Sequence, residues 1–236
     1  MKIAVSGTQC IGKSTFVDDF KDKWSMYKSP ARTYRDVIRE KKLEINQLGT
    51  EESQRAILNA LVDEVTEAKS DEHIIFNRCV LDNLVYTMFL NAMEKVPDKF
   101  VKETIDIVRE TLVFFDIVFF CPITKLSPVN IQQAEQRDID PQFRDTVDVF
   151  FKSLMNAYNK HSTVYFPFDH DLGCPAIIEI FGSPEERIQL AQFYINDKGD
   201  IYGEDDTLID PNNLDETGLE LAREVFGVGK PEIVTP

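Results

Sequence analysis

Basic side chains are in short supply. Over 236 residues, 26 Lys and Arg stand against 41 Asp and Glu, a formal net charge of −15. Such a balance argues against a broad nucleic-acid-binding face, because phosphate backbones are held mainly by Lys and Arg; a local basic pocket stays open. The deficit is uneven, since Asp197 to Pro236 holds 11 acidic and 3 basic residues, or −8 of the −15. Cysteine and histidine are also few. Cys10, Cys79, Cys121 and Cys174 are scattered without a Cys-x-x-Cys pair, and no histidine cluster lies beside them, so neither a zinc site nor a disulfide framework is expected. No apolar run approaches the roughly 20 residues of a membrane helix, and the start carries no signal-peptide pattern, so a cytoplasmic protein is expected.

What is present begins at the first turn. Gly7-Thr8-Gln9-Cys10-Ile11-Gly12-Lys13-Ser14-Thr15 fits Gly-x-x-x-x-Gly-Lys-Ser/Thr, a phosphate-binding loop. Glycines let the backbone wrap a polyphosphate without Cβ clashes, and successive N–H groups turn inward as an anion cradle. In this pattern Lys13 reaches the β- and γ-phosphates and Ser14 places its hydroxyl on Mg²⁺. The helix that starts near Gly12 aims the positive end of its dipole at the same phosphates. ATP and Mg²⁺ are therefore the expected cofactors. The context agrees: Met1 to Ser6 is a short apolar strand candidate, and Lys13 to Lys23 places Phe16, Val17 and Phe20 on one helical face.

Further along, Trp24 to Lys28 is a second strand candidate, and Ser29 to Asp36 follows as a loop entering a short helix. That loop carries Arg32, Tyr34, Arg35 and Asp36 just past a strand end, where ligands sit in open α/β sheets. Glu51 to Lys69 is a long amphipathic helix capped by Thr50 or Ser53, with Gln54 near its start. Glu72 to Phe76 is a third strand running into Asn77-Arg78-Cys79-Val80-Leu81-Asp82-Asn83-Leu84-Val85-Tyr86 and a helix to about Glu94. Beyond Pro97, Asp98 to Thr111 reads as another helix. Leu112 to Cys121 then ends in a nearly continuous apolar run, as a strand buried on both faces of a parallel sheet does. Thr124 to Pro141 is polar and aperiodic, long for a plain connection, and is read as a lid containing Arg137, with Arg144 at its return. A helix over Phe143 to Asn159, a short strand at Val164 to Phe166 and a last strand at Ala176 to Ile180 follow. Ser183 and Pro184 open the final core helix, which carries Arg187. From about Asn196 the chain is Gly-, Asp- and Asn-rich, with one short helix near Asp215 to Phe226. Ile201, Tyr202 and Leu208 are expected to pack it partly, and a regulatory or oligomerising role, with a homodimer, is an alternative reading.

Strands alternating with helices after a phosphate loop imply an α/β fold of the P-loop NTPase kind: a three-layer sandwich with about five parallel strands, helices on both faces and a lid. Residues 1–196 form that domain and residues 197–236 an acidic C-terminal extension.

Gly7 to Thr15, Arg78 within Asn77-Arg78-Cys79-x-x-Asp82-x-x-x-Tyr86, and the arginines of the polar segment together resemble the nucleoside and nucleotide kinase branch of the P-loop proteins. The nearest flavour is the ribosylnicotinamide-kinase-like ATP-binding proteins of bacteria and phages, which would set the protein in a host cytoplasm if viral. Thymidylate and deoxynucleoside kinases are similar at greater distance. The resemblance implies that Arg78 holds the acceptor or the transferring phosphate, and that Gln54 hydrogen-bonds the acceptor's base or amide. Arg32, Arg35 and Tyr86 complete the acceptor side. Lys13, Arg78, Arg137 and Arg144 supply cations to the transferring group, a task suited to bidentate guanidinium donors. Ser183 and Arg187 follow the last strand where relatives wrap the nucleotide base. One departure stands out: relatives commonly place an aspartate where this chain has Asn77, which can orient water on Mg²⁺ but cannot accept a proton. Asp36 and Asp82 are the candidate replacements, with Asp36 favoured because acceptor-activating acids in nucleoside kinases tend to follow the second strand. Asp116, at the start of its strand, belongs to the opposite end of the sheet.

The activity expected is a Mg²⁺-dependent kinase moving the γ-phosphate of ATP to a small acceptor, a nucleoside hydroxyl or a nucleoside monophosphate. Two rivals use the same loop. One is a kinase acting on a hydroxymethylated pyrimidine base in viral DNA, which the acidic balance counts against. The other is a partner-regulated ATPase without a small-molecule acceptor. A guanine-reading Asn-Lys-x-Asp motif is absent, which argues against a GTPase.

Overall fold

The structure is a computed structural model that describes residues 1–68, 72–125, 140–159 and 173–202. Residues 126–139 of the lid expected over Thr124 to Pro141, with Arg137, the strand at Val164 to Phe166, and the extension beyond 202 lie outside the described residues.

Four parallel strands form the sheet in the order β2-β1-β3-β4, with β1 at Lys2–Ser6, β2 at Ile74–Asn77, β3 at Ile117–Phe120 and β4 at Ala176–Glu179. Register is continuous across the three ladders, Val5 pairing with Asn77 on one side and with Phe119 on the other. Side chains alternate between two buried faces, so the strands read as apolar runs rather than as an alternating pattern. On one face Ile3, Val5, Ile75 and Phe119 meet Phe16 and Phe20 of α1 (Lys13–Lys23), with α7 (Pro184–Ala191) beside it. On the other face Ala4, Phe76, Val118 and Phe120 meet α3 (Glu51–Thr66), α4 (Val80–Ala92), α5 (Asp98–Leu112) and α6 (Pro141–Asn159). This is the three-layer arrangement expected of the alternating pattern.

The fifth strand is reduced to one residue. Lys28 makes a single parallel bridge to Ile74, and Trp24 to Lys28 is otherwise no strand. An extended chain would send Trp24 and Tyr27, three residues apart, to opposite faces. Here both are buried around Phe20, their ring centroids 4.4 and 5.0 Å from its own, and Tyr27 N–H donates back to the Trp24 carbonyl. Packing of the two aromatics thus turns the segment. The strand expected from Leu112 is likewise shortened to Ile117–Phe120, because α5 runs on to Leu112.

The caps follow the sequence. Thr50 and Ser53 cap α3 reciprocally, each side-chain oxygen accepting the other's backbone N–H. Ser183 accepts from Glu186 N–H with Pro184 in the first turn of α7. Among the described residues no helix is long and apolar enough to cross a membrane.

Helix α2 (Tyr34–Lys41) lies on α3, and Glu64 accepts the Tyr34 backbone N–H at its first turn. Burial pushes the Glu64 carboxyl from 4.5 up to about 7. Since the folded value exceeds the unfolded one, Glu64 costs the fold nothing at low pH, and stability is lost as pH rises through 4.5 toward about 7. Glu64→Gln keeps an acceptor for Tyr34 and carries no charge. It is expected to stabilise the protein by roughly 1–2 kcal/mol at about pH 8, the gain shrinking toward zero near pH ~4.5. Urea unfolding of both proteins across this range checks it; a gain that does not vary with pH would contradict the assignment.

Candidate active site

The sheet order changes direction at β1, with β2 on one side and β3 on the other, and ligands gather beyond the carboxyl ends of strands at such a point. The carboxyl end of β1 delivers the loop Gly7 to Thr15, and that of β2 delivers Asn77 and Arg78. Gly7 is required there. At φ 141°, a Cβ on it would lie 2.6 Å from the Cys121 carbonyl oxygen at the end of β3. Gly12, at φ 88°, starts α1 in the left-handed region. Thr8 is buried and donates its hydroxyl to the Arg144 carbonyl, joining the loop to the first turn of α6.

Lys13 folds back over its own loop, Nζ donating to the carbonyls of Gly7, at 2.7 Å, and Thr8. Burial, reinforced by the charge of Arg78, lowers its ammonium from 10.5 to about 7. A polyphosphate in the cradle supplies the negative charge that would restore it. Ser14 Oγ accepts from Asn77 Nδ2 at 2.8 Å and from Arg35 Nη2 at 3.3 Å. Asn77 Oδ1 is buried and has no hydrogen-bond partner among the described residues. Hydroxyl and amide oxygens, completed by water, are the ligands that Mg²⁺ accepts, so Ser14 and Asn77 fit that ion. No cluster of three or more His, Cys, Asp or Glu suited to a metal occurs elsewhere among the described residues.

Arg78 is held at φ 102°, rare for a residue with a side chain and a mark of functional sites. Its guanidinium donates to Asp82 Oδ1 at 3.2 Å and to the Tyr86 hydroxyl at 3.4 Å. Asp82 is 1% exposed and also accepts from Ser6 Oγ at 2.8 Å and from Cys79 N–H at 3.2 Å. As the third residue of α4 it caps that helix while joining the ends of β1 and β2.

Beside these groups opens a cavity of about 450 Å³, within the range of about 300–1,000 Å³ usual for small-molecule sites. Gln9, Cys10, Arg35, Gln54, Arg78, Asp82 and Tyr86, all anticipated from the sequence, come together on its wall with apolar Ile38, Ile57 and Leu61. Tyr34, anticipated with the arginines of its loop, lines the wall with both guanidiniums near its ring, whereas the polar wall residues Asn46 and Asn83 were not anticipated as ligand contacts. Asn83 settles how Gln54 is turned. A backbone carbonyl can only accept, so the Asn83 atom 3.0 Å from the Gln54 carbonyl is the amide nitrogen. The same nitrogen lies 3.0 Å from the end of the Gln54 side chain, which must therefore be Oε1. Gln54 is left with its Nε2–H donors for a ligand. A lone Asn between Leu81 and Leu84 on an apolar helix was the available signal.

The remaining expected residues are placed elsewhere. Asp36, as third residue of α2, folds back to accept the Thr33 N–H at 2.9 Å and pairs with Arg39, and it does not line the cavity. The Thr33 N–H holds its carboxyl below the usual carboxylate range. Arg32 is exposed and pairs with Glu40 at 2.6 Å. Arg187 is buried behind the loop and donates to the carbonyls of Ile11 and Gly182, bracing the backbone, while Ser183 is taken up by its cap. Arg144 is nearly buried beside Asp145, with Nη1 lacking a partner among the described residues. Asp116 accepts from Lys2 N–H at the amino edge of the sheet, as expected.

Residues 2–169 match the model of a family described as AAA domain. Solved structures similar in fold include deoxyadenosine kinase from M. mycoides with products dCMP and a flexible dCDP bound, at TM-score 0.61 and 19% identity over 82% of this chain and 97% of that one. Also similar are NadR protein in complex with NR, at 0.52 and 11% over 99% of this chain and 54% of that one, and thymidylate kinase from Candida albicans, at 0.50 and 15% over 81% and 89%. No curated protein matches. The architecture is the P-loop fold that these structures share.

Removing one partner of a buried ion pair leaves the other uncompensated. Asp82→Ala is expected to destabilise the protein by about 3–5 kcal/mol in urea unfolding; a loss below about 1 kcal/mol, the scale of a surface pair, would show that Arg78 does not depend on it.

Proposed function

The chain belongs to the AAA domain family, and from that premise we propose that it is a Mg²⁺-dependent phosphotransferase moving the γ-phosphate of ATP to a small nucleoside-type acceptor. One observation carries the reading: Arg35 lines the cavity and touches Ser14 Oγ, so the donor loop and a cavity of nucleoside size meet at a single hydroxyl. Two structures of similar fold are named as kinases of deoxyadenosine and thymidylate, which supports the same class.

The division of labour follows from charge. Phosphoryl transfer asks the protein to position the reactants, neutralise developing charge and exclude water. The Gly7 to Thr15 loop cradles the polyphosphate, Lys13 moves from its two carbonyls to the β- and γ-oxygens, and Arg78 stands over the acceptor side. Ser14 and Asn77 would hold Mg²⁺, which supplies charge neutralisation across the phosphates. Asp82, already accepting from three donors, positions Arg78 and does not remove a proton.

With γ-labelled ATP and a panel of nucleosides, nucleoside monophosphates and ribosylnicotinamide, label is expected in at least one acceptor. Lys13→Met is expected to cut that transfer by roughly 1,000-fold, the scale of lost transition-state electrostatics, with an unfolding midpoint no lower than the parent's. Steady release of inorganic phosphate with no labelled acceptor would point to a plain ATPase instead.

A further inference from the structure

Resting on the kinase reading, we infer that the acceptor is a phosphomonoester, a nucleoside monophosphate in place of a neutral nucleoside. Two cations on one wall motivate this. The Arg35 guanidinium lies 5.9 Å and that of Arg78 5.7 Å from the centroid of the same ring, Tyr34. Arg35 Nε also donates to the Tyr34 hydroxyl at 3.2 Å, while Arg78 Nη2 donates to that of Tyr86 at 3.4 Å. Both guanidiniums are cations beside one tyrosine, and the carboxylate on the described wall, Asp82, touches Arg78 and not Arg35. Among the described residues Arg35 rests on neutral oxygens, those of Tyr34 and Ser14. A dianionic phosphate on this wall would offer both arginines a charge-assisted partner.

Proton bookkeeping favours the same acceptor. A nucleoside hydroxyl must give up a proton as it attacks, so a kinase acting on it needs a base within reach. Among the described residues, the three candidate groups are committed or unsuited. Asn77 is a neutral amide, Asp36 is turned to Thr33 and Arg39, and Asp82 is filled by Ser6, Cys79 and Arg78. A phosphomonoester needs no base, because its second ionisation lies near pH ~6 and its oxygen is already anionic at neutral pH. An oxygen of the acceptor phosphate forms the new bond to the γ-phosphorus. The bond from that phosphorus to the β,γ-bridging oxygen breaks, its electron pair leaving with ADP, and the product is a nucleoside diphosphate with no proton transferred. Gln54 Nε2 and the apolar Ile57 and Leu61 then face the base.

The test is calorimetric titration of the full chain, with Mg²⁺ and a non-hydrolysable ATP analogue, using dAMP, dCMP, dGMP and dTMP against their parent deoxynucleosides. For the best pair the monophosphate is expected to bind roughly 100-fold tighter, the scale of two charge-assisted hydrogen bonds. Arg35→Gln is expected to weaken that monophosphate by roughly 10-fold or more and its nucleoside by less than about 2-fold. Arg35→Lys, which keeps charge but loses the fork, should fall between. A nucleoside that binds as tightly as its monophosphate, an equal loss of both ligands in Arg35→Gln, or no binding by any of the eight would overturn the inference. Label transfer separates the two readings. Tight monophosphate binding without labelled diphosphate would sink the kinase reading and leave the anion site, whereas labelled product from nucleosides alone would keep the kinase and sink this inference.

Discussion

A single buried carboxylate anchors the site. Asp82 accepts from the β1 terminus through Ser6, from the backbone after β2 through Cys79, and from Arg78, whose own backbone N–H donates to the Val5 carbonyl. Burying one charge costs several kcal/mol unless it is paired and hydrogen-bonded, so this carboxylate is stable only while strand ends, helix cap and guanidinium stay together. The strained φ of Arg78 is paid for in that network. The phosphate loop, starting one residue after Ser6, inherits its position from the same contacts.

The site is a small positive island in an acidic protein. Lys13, Arg35 and Arg78 gather where the carboxyl ends of the strands meet, against one carboxylate, while the chain as a whole carries −15. Concentrating cations under low dielectric strengthens each contact with a phosphate and depresses the lysine that must be charged to make it. The excess of acidic side chains over the whole chain counts against binding extended phosphate backbones.

Polar atoms around the cavity are arranged in pairs that orient one another. Asn83 of α4 turns Gln54 of α3, Asn77 of β2 and Arg35 of α2 meet at Ser14 of α1, and Tyr34 lies near both Arg35 and Arg78. These contacts join different elements, so loss of helix packing on one face would scatter several at once. Arg187 contributes from the far side, its guanidinium holding the Ile11 carbonyl of the loop.

By itself the sequence determined the P-loop, the alternation of strands and helices and the caps at Thr50 and Ser183, because glycine geometry, residue periodicity and side-chain capping act within a few positions. The kinase resemblance, not a local rule, set Arg78 and Gln54 beside the acceptor, and both line the cavity. Tertiary structure alone decided which polar groups remain available. Asp36 and Asp82 both occupy third positions of helices, and both stand as candidate bases by their place in the sequence and the kinase resemblance. Yet Asp36 turned to an exposed cap, while Asp82 was drawn under Ser6, a residue 76 positions away. In the same way Arg32 and Arg35 differ by one helical turn, and only the packing of α2 on α3 sends Arg35 to Ser14. Trp24 to Lys28 shows the limit from the other side: its residues favour a strand, and burial of two aromatics against Phe20 outweighed that preference because packing energy is non-local and strand propensity is weak.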